Sequence, residues 1–195
     1  MKNSSIKKVF LVFLASIFAP AISYAHTGFG AFSGFGDGFV HPLGGFDHVL
    51  AMVAVGIWAF QSGGRGVWAM PASFVAVMFV GGLLGFAGVK LPFVEQGIFV
   101  SILVFGALIA AARFPLVVGM VVTGAFALFH GHSHGTEIPA AASGLYYGLG
   151  FVLATTALHI AGIAMASALS LGRPNSVLVR FAGAAISLAG IIVYF

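Results

Sequence analysis

The chain has 195 residues, of which 61% are hydrophobic and only 6% are charged, and its formal net charge is +4. Soluble domains carry about 25% charged residues, so this composition excludes an ordinary soluble protein and indicates a protein of the lipid bilayer. Cysteine is absent, which excludes disulfides, thiolate metal sites and cysteine nucleophiles.

The first 25 residues have the pattern of a secretory signal peptide. Three lysines precede an apolar run from Val9 to Ile22, and small residues occupy the positions that signal peptidase reads, Ser23 and Ala25. We expect cleavage after Ala25, which gives a signal peptide over 1–25. The alternative is a retained first transmembrane helix.

Cleavage would leave a mature domain over 26–195 that begins with His26. Its imidazole and the free α-amino group could chelate a metal together, and the alternative is a plain tail residue. Loss of the three leader lysines removes much of the basic charge, so nothing indicates nucleic acid as a partner.

Six apolar stretches follow, separated by short segments rich in Gly, Pro and Ser. A membrane span takes about 20 apolar residues, so we predict an all-α integral membrane protein, a single-domain bundle of six transmembrane helices after a cleavable signal peptide. Short loops predict that sequential helices are antiparallel neighbours, and the Gly- and Phe-rich segment 28–39 is expected to be a mobile or interfacial lead-in. The predicted spans lie near 44–61, 66–88, 94–112, 115–132, 143–169 and 176–194.

The distribution of basic residues predicts the orientation in the membrane. If residue 26 lies outside, the first, third and fifth loops are cytoplasmic and contain Arg65, Arg113 and Arg173, whereas Lys90 alone lies outside. We therefore expect a multi-pass membrane protein with its mature N-terminus on the outer side. Two histidine clusters then lie at the outer face.

The first cluster is H-P-L-G-G-F-D-H, from His41 to His48. On a straight helix these two histidines would be roughly 10 Å apart along the axis, too far to share an ion. Pro42 and two glycines predict an irregular entry that becomes helical only near Asp47, which would let His41 fold back toward His48. Carboxylate and imidazole side by side at membrane depth are costly unless they have a function.

The second cluster is F-H-G-H-S-H-G-T-E, from Phe129 to Glu137. His130 and His134 are four residues apart and could chelate one ion from a single helical face, whereas His132 would point away. The glycines of this cluster weaken the helix, so His132 is also a candidate ligand, and Glu137 could close the site.

His159 lies inside the fifth predicted span, where an ionisable residue usually faces the bundle interior; it is either a pathway residue or a structural histidine. Asp37 and Glu95 are interpreted as ordinary surface acids. Nitrogen and oxygen ligands suit Ni²⁺, Co²⁺, Zn²⁺ or Mn²⁺, and geometry sets the preference among them; copper(I) fits less well because the methionines are scattered.

No P-loop pattern occurs, so nucleotide is not an expected partner, and transport would be passive, ion-coupled or driven by a partner. Our leading hypothesis is a metal permease, not an enzyme. Its alternatives are an intramembrane histidine-zinc hydrolase, with Asp47 or Glu137 as general base, and a metal sensor or assembly partner that binds without transport. A second copy of the chain and a cytoplasmic metallochaperone are further partners that fit this hypothesis.

Both motifs, in a chain with a leader and six spans, resemble the HupE/UreJ family. The second motif is close to the family pattern H-G-x-A-H-G-x-E, with Ser133 in the alanine position. The resemblance implies a nickel or cobalt permease of the bacterial inner membrane, with the mature N-terminus on the periplasmic side, that supplies metal for hydrogenase, urease or cobalamin. It also implies that the metal residues are His41, Asp47 and His48 in the first motif and His130, His134 and Glu137 in the second.

Overall fold

The structure is a computed structural model that describes residues 34–112, 114–139 and 142–194. The predicted signal peptide and the candidate ligand His26 lie outside the described residues, as does Arg113. Within the described ranges every regular element is an α-helix. The helices are α1 (Phe35–Gly44), α2 (Phe46–Ser62), α3 (Gly66–Phe86), α4 (Val94–Ala111), α5 (Leu116–Thr136), α6 (Gly144–Leu169) and α7 (Val177–Tyr194).

Five of these helices, α3 to α7, are long and apolar enough to cross a membrane. The first two, α1 and α2, together pass the same test but are bent by 87° where they meet, so the described chain has five spans, or six if this pair counts as one. The predicted all-helical membrane bundle is therefore confirmed, while the count of six depends on how the bent pair is treated.

The entry to the first span differs from the expected irregular lead-in. Residues from Phe35 onward form α1, and Pro42 lies within this helix, two residues before its end. The break is confined to Gly45, whose backbone is extended. A Cβ at this position would meet Asp47 Oδ1 at 2.8 Å and His48 Nδ1 at 2.7 Å, so a larger residue would displace the two side chains that fold over the bend.

The most extensive packing is between helices that are not adjacent in sequence, which corrects the expected order of neighbours. The largest contact surfaces join α3 to α5, α4 to α7, and α6 to both α1 and α2. Glycines on the facing surfaces explain this pairing, because they let backbones approach closely in a membrane. The glycines concerned are Gly81, Gly85, Gly131 and Gly135 between α3 and α5, Gly56 and Gly162 between α2 and α6, and Gly106 and Gly183 between α4 and α7.

Helix α2 lies at the centre of the bundle. Every residue from Ala51 to Ala59 is buried, and the helix contacts all six others. A helix that is apolar on all sides is stable only when it is surrounded by other helices or lipid. Its first turn carries Asp47 and His48, whose side chains are partly buried among the surrounding helices.

Candidate metal site

The ring of His134 joins the two motifs at the end of the bundle where α2 begins and α5 ends. His134 is buried on α5, and its ring centroid lies 4.8 Å from that of His41 on α1 and 4.3 Å from that of His48 on α2. The 87° bend at Gly45 allows both motif-one histidines to reach this ring from different helices. His41 and His48 therefore both contact the ring of His134.

A potential three-ligand group lies at the mouth of this cluster. His41 Nε2 is 2.7 Å from Glu137 Oε2, His134 Nδ1 is 3.9 Å from the same oxygen, and one ligand atom from each residue falls within 4.8 Å of the others. Metal-to-ligand bonds of about 2.0–2.2 Å would place neighbouring ligands roughly 3 Å apart, so small side-chain rotations would close this group around an ion. The Glu137 side chain is 49% exposed and that of His134 only 5%, so Glu137 lies at the solvent side of the group and His134 at its interior side.

Asp47 orients the imidazole of His48. One carboxylate oxygen, Oδ1, lies 2.8 Å from His48 Nδ1 and also accepts the backbone N–H of His48 at 2.8 Å. A carboxylate on one ring nitrogen fixes the tautomer and leaves the other nitrogen with its lone pair, the usual arrangement behind a histidine metal ligand. That other nitrogen, Nε2, is buried and has no hydrogen-bond partner among the described residues.

Ser101 on α4 determines in a similar way which ring nitrogen of His130 carries the hydrogen. The Ser101 hydroxyl donates to the carbonyl of Ile98 at 2.6 Å, so its oxygen accepts from His130 Nε2, 2.9 Å away. The hydrogen then resides on Nε2, and Nδ1 carries the lone pair that a metal ligand needs. The His130 ring lies 5.1 Å from that of His48, one helical turn inward from His134.

His132 belongs to a different environment from the other histidines of its motif. Its Nε2 donates to the carbonyl of Val89 at 2.6 Å, which ties the segment between α3 and α4 to α5. No ring contact joins it to the cluster within the described residues. The structure thus favours the orientation away from the cluster over the alternative in which His132 is a ligand.

His159 lies deeper, at the α2–α6 contact. It is 1% exposed, and its ring lies 5.2 Å from that of Phe74, which in turn lies 5.6 Å from His130. One aromatic side chain therefore separates His159 from the cluster.

Two residues that the sequence analysis did not name, and one that it interpreted as an ordinary surface acid, border the cluster. Ser101 is the partner of His130, and Tyr147 contacts His41 at a ring distance of 5.8 Å. Glu95 is exposed but lines a cavity of about 130 Å³ together with Asp47. Glu95 had a detectable signal, since it is an acid at the start of a predicted span; no comparable signal marked Ser101 or Tyr147 within apolar sequence.

The combined arrangement suits reversible capture of a divalent cation. Imidazole and carboxylate groups from α1, α2 and α5 converge, with the most exposed group at the outer end and the most buried ones behind it. Such nitrogen and oxygen sets suit divalent first-row metals.

A family model and a relative match most of the chain. The family described as "HupE / UreJ protein" matches residues 12–193. The chain is 46% identical over 178 residues to "Protein HupE" of Rhizobium leguminosarum bv. viciae, a match that covers 91% of this chain and 92% of that protein. No solved structure matches the chain.

Proposed function

Since the chain belongs to the HupE / UreJ family, we propose that it is an inner-membrane permease for a divalent transition metal ion, nickel or cobalt. In this proposal it captures the ion at the periplasmic face and delivers it to the cytoplasm for maturation of a hydrogenase, urease or cobalamin. It acts as a transporter and not as an enzyme.

The observation that carries this proposal is the convergence of both motifs on His134. The His134 ring contacts His41 and His48 from two other helices, and Glu137 lies within reach of two of the three imidazoles. Residues separated by about 90 positions in sequence thus come together in one group of metal-compatible side chains. A purely structural role would not require so many imidazoles in one place, because each buried polar group without a partner costs about 1–3 kcal/mol.

The gradient of exposure supports passage over permanent binding. Glu137 and His41 are accessible, whereas His48 and His130 are enclosed by α4, α5 and neighbouring helices. A closed structural metal site would surround the ion with four fixed ligands. Here an ion can exchange with solvent at the mouth, lose water in steps, and meet inner imidazoles whose ligand nitrogens are free.

The proposed orientation of the bundle in the membrane is supported by the positions of its arginines and by the predicted signal peptide. Arg65 and Arg173 lie at the end of the bundle opposite to the histidine cluster, in the connections after α2 and α6. The positive-inside rule then favours a cytoplasmic location for that end, with the cluster facing the periplasm.

The test is metal uptake by purified protein in liposomes, with Ni²⁺, Co²⁺ and Zn²⁺ offered separately to wild type, Asp47→Asn and His48→Ala. Asp47→Asn keeps the size of the side chain but removes the charge that orients His48. We expect wild-type flux that is selective for nickel or cobalt and at least tenfold lower in both variants. Thr156→Ala, an exposed position on α6 whose hydroxyl bonds only Val152, is the matched control and should retain full flux.

Two outcomes would contradict the proposal. Tight, stoichiometric zinc that survives dialysis, without flux of any ion, would indicate the zinc hydrolase instead. Normal metal binding without flux would indicate a sensor or assembly partner.

A further inference from the structure

We infer that His159 is the principal ligand of a second, inner position for the transported divalent ion, midway through the membrane; this inference rests on the proposed permease function. The inner position is separate from the outer cluster because Phe74 lies between His130 and His159.

The depth of His159 sets it apart from the other histidines. It lies fifteen residues after the outer end of α6 at Gly144, which is about 22 Å along the helix at 1.5 Å per residue. The hydrocarbon core of a bilayer is about 30 Å thick, so His159 lies well below the headgroups. Measured from the contact between His134 and Phe151, whose rings are 4.2 Å apart, His159 lies eight residues or about 12 Å further along α6, whereas His130 lies four residues or about 6 Å along α5.

The His159 imidazole is buried without a hydrogen-bond partner among the described residues. Neither ring nitrogen has a hydrogen bond to any described residue, and the side chain is 1% exposed. A structural histidine inside a bundle normally bonds to a neighbouring part of the protein, as His132 does to the carbonyl of Val89. His159 therefore retains an available lone pair that a metal ion can use.

Further donors lie on the same side of the bundle. Thr155 is one helical turn before His159, so the two side chains share a face of α6. Thr155 is fully buried, and its hydroxyl lies 3.9 Å from the thioether sulfur of Met78 on α3. Imidazole, hydroxyl and thioether form a weak, neutral donor set that suits temporary binding, since conduction requires an ion to leave as readily as it enters.

The rings form a continuous series from the surface to this position. Centroid distances are 4.3 Å from His134 to His48, 5.1 Å from His48 to His130, 5.6 Å from His130 to Phe74 and 5.2 Å from Phe74 to His159. An ion released by His130 would pass the Phe74 ring and meet the free nitrogens of His159 next. Without a ligand there, it would enter an apolar region lined by side chains such as Ile57 and Phe105.

The experiment separates outer binding from passage through the membrane. His159→Leu removes the inner ligand at similar volume, and Thr156→Ala is the control on the same helix. We would titrate each protein in detergent with Co²⁺, following its visible absorption and the heat of binding, and measure Co²⁺ flux in liposomes. We expect His159→Leu to keep outer-site affinity within twofold, lose a weaker second binding phase, and reduce flux at least tenfold.

Each outcome supports or overturns a defined claim. Flux within twofold of wild type, or an unchanged second phase, would overturn the inner position and leave the permease intact. Absence of flux in wild type would overturn the proposed function, and the inner position with it. If size-exclusion chromatography shows that His159→Leu does not fold, His159→Asn and Thr155→Val replace it. We expect these variants to keep the outer-site affinity and to show reduced flux. Wild-type flux in them would refute the inner position.

Discussion

Substitution of Gly131 by alanine tests whether the close contact between α3 and α5 sets the geometry of the site. A Cβ on Gly131 would overlap the carbonyl oxygen of Met78 and lie 2.7 Å from its carbonyl carbon and 2.9 Å from Gly82 N, where ordinary contacts are 3.4–4 Å. All of these atoms belong to backbone and cannot rotate away. The two helices would therefore have to separate by about 1 Å, at a cost of about 1–3 kcal/mol.

The same displacement would move both ligands of the second motif, because His130 and His134 flank Gly131 on α5. A shift of about 1 Å is large beside ring contacts of 4.3 Å and 5.1 Å to His48. We expect metal affinity to fall at least tenfold, equivalent to about 1.4 kcal/mol.

The assay compares Gly131→Ala with Gly148→Ala, a helical glycine on α6 with no atom within 4 Å of the added Cβ. Both substitutions raise helix propensity by a similar amount, up to about 1 kcal/mol. The difference in stability between the two variants therefore reports the steric clash at Gly131 alone. We expect Gly131→Ala to unfold in detergent at a temperature lower by about 2–4 °C for each kcal/mol and to lose uptake in liposomes. Wild-type melting and uptake in Gly131→Ala would refute the reasoning.

Three further predictions concern individual contacts. Glu137→Gln removes the charge next to His41 but keeps a polar group of similar size, so Ni²⁺ affinity measured by calorimetry should fall about tenfold without a change in melting temperature; equal affinity would exclude Glu137 as a ligand. His132→Gln should lower stability by about 1 kcal/mol because it disturbs the bond to Val89, yet retain uptake; loss of uptake in a folded variant would contradict the tether role. Ni²⁺ at 100 times its dissociation constant should stabilise wild type by about 2.7 kcal/mol in thermal unfolding, and a similar gain in His41→Ala would show that the ion binds elsewhere.

The family and the membrane character could be predicted from the sequence alone. The resemblance carried by the two motifs is confirmed by the family match over residues 12–193. The helices from α2 to α7 also begin and end close to the predicted spans, because span length and hydropathy are local properties of the chain. The largest error was at the end of α5, where the helix continues through the glycines to Thr136.

Those glycines show why the error arose. An isolated glycine weakens a helix, which is the reason the sequence suggested an end near residue 132. In the bundle, Gly131 and Gly135 instead allow backbone contact with Met78 and Gly82, and this packing offsets their low propensity.

The sequence by itself determined which residues are candidates, because imidazoles and carboxylates are rare in a chain that is 61% hydrophobic. Only the tertiary structure decided which of them meet. The spans are apolar on nearly all sides, so hydropathy gives no preferred face and no order of neighbours. Backbone approach at glycines paired α3 with α5 and α2 with α6, and the bend at Gly45 turned His41 toward His134. The same packing places the ring of His159 against Phe74 and the ring of His132 within hydrogen-bond distance of the Val89 carbonyl. Local sequence could not predict these contacts, because they join residues that are distant in sequence.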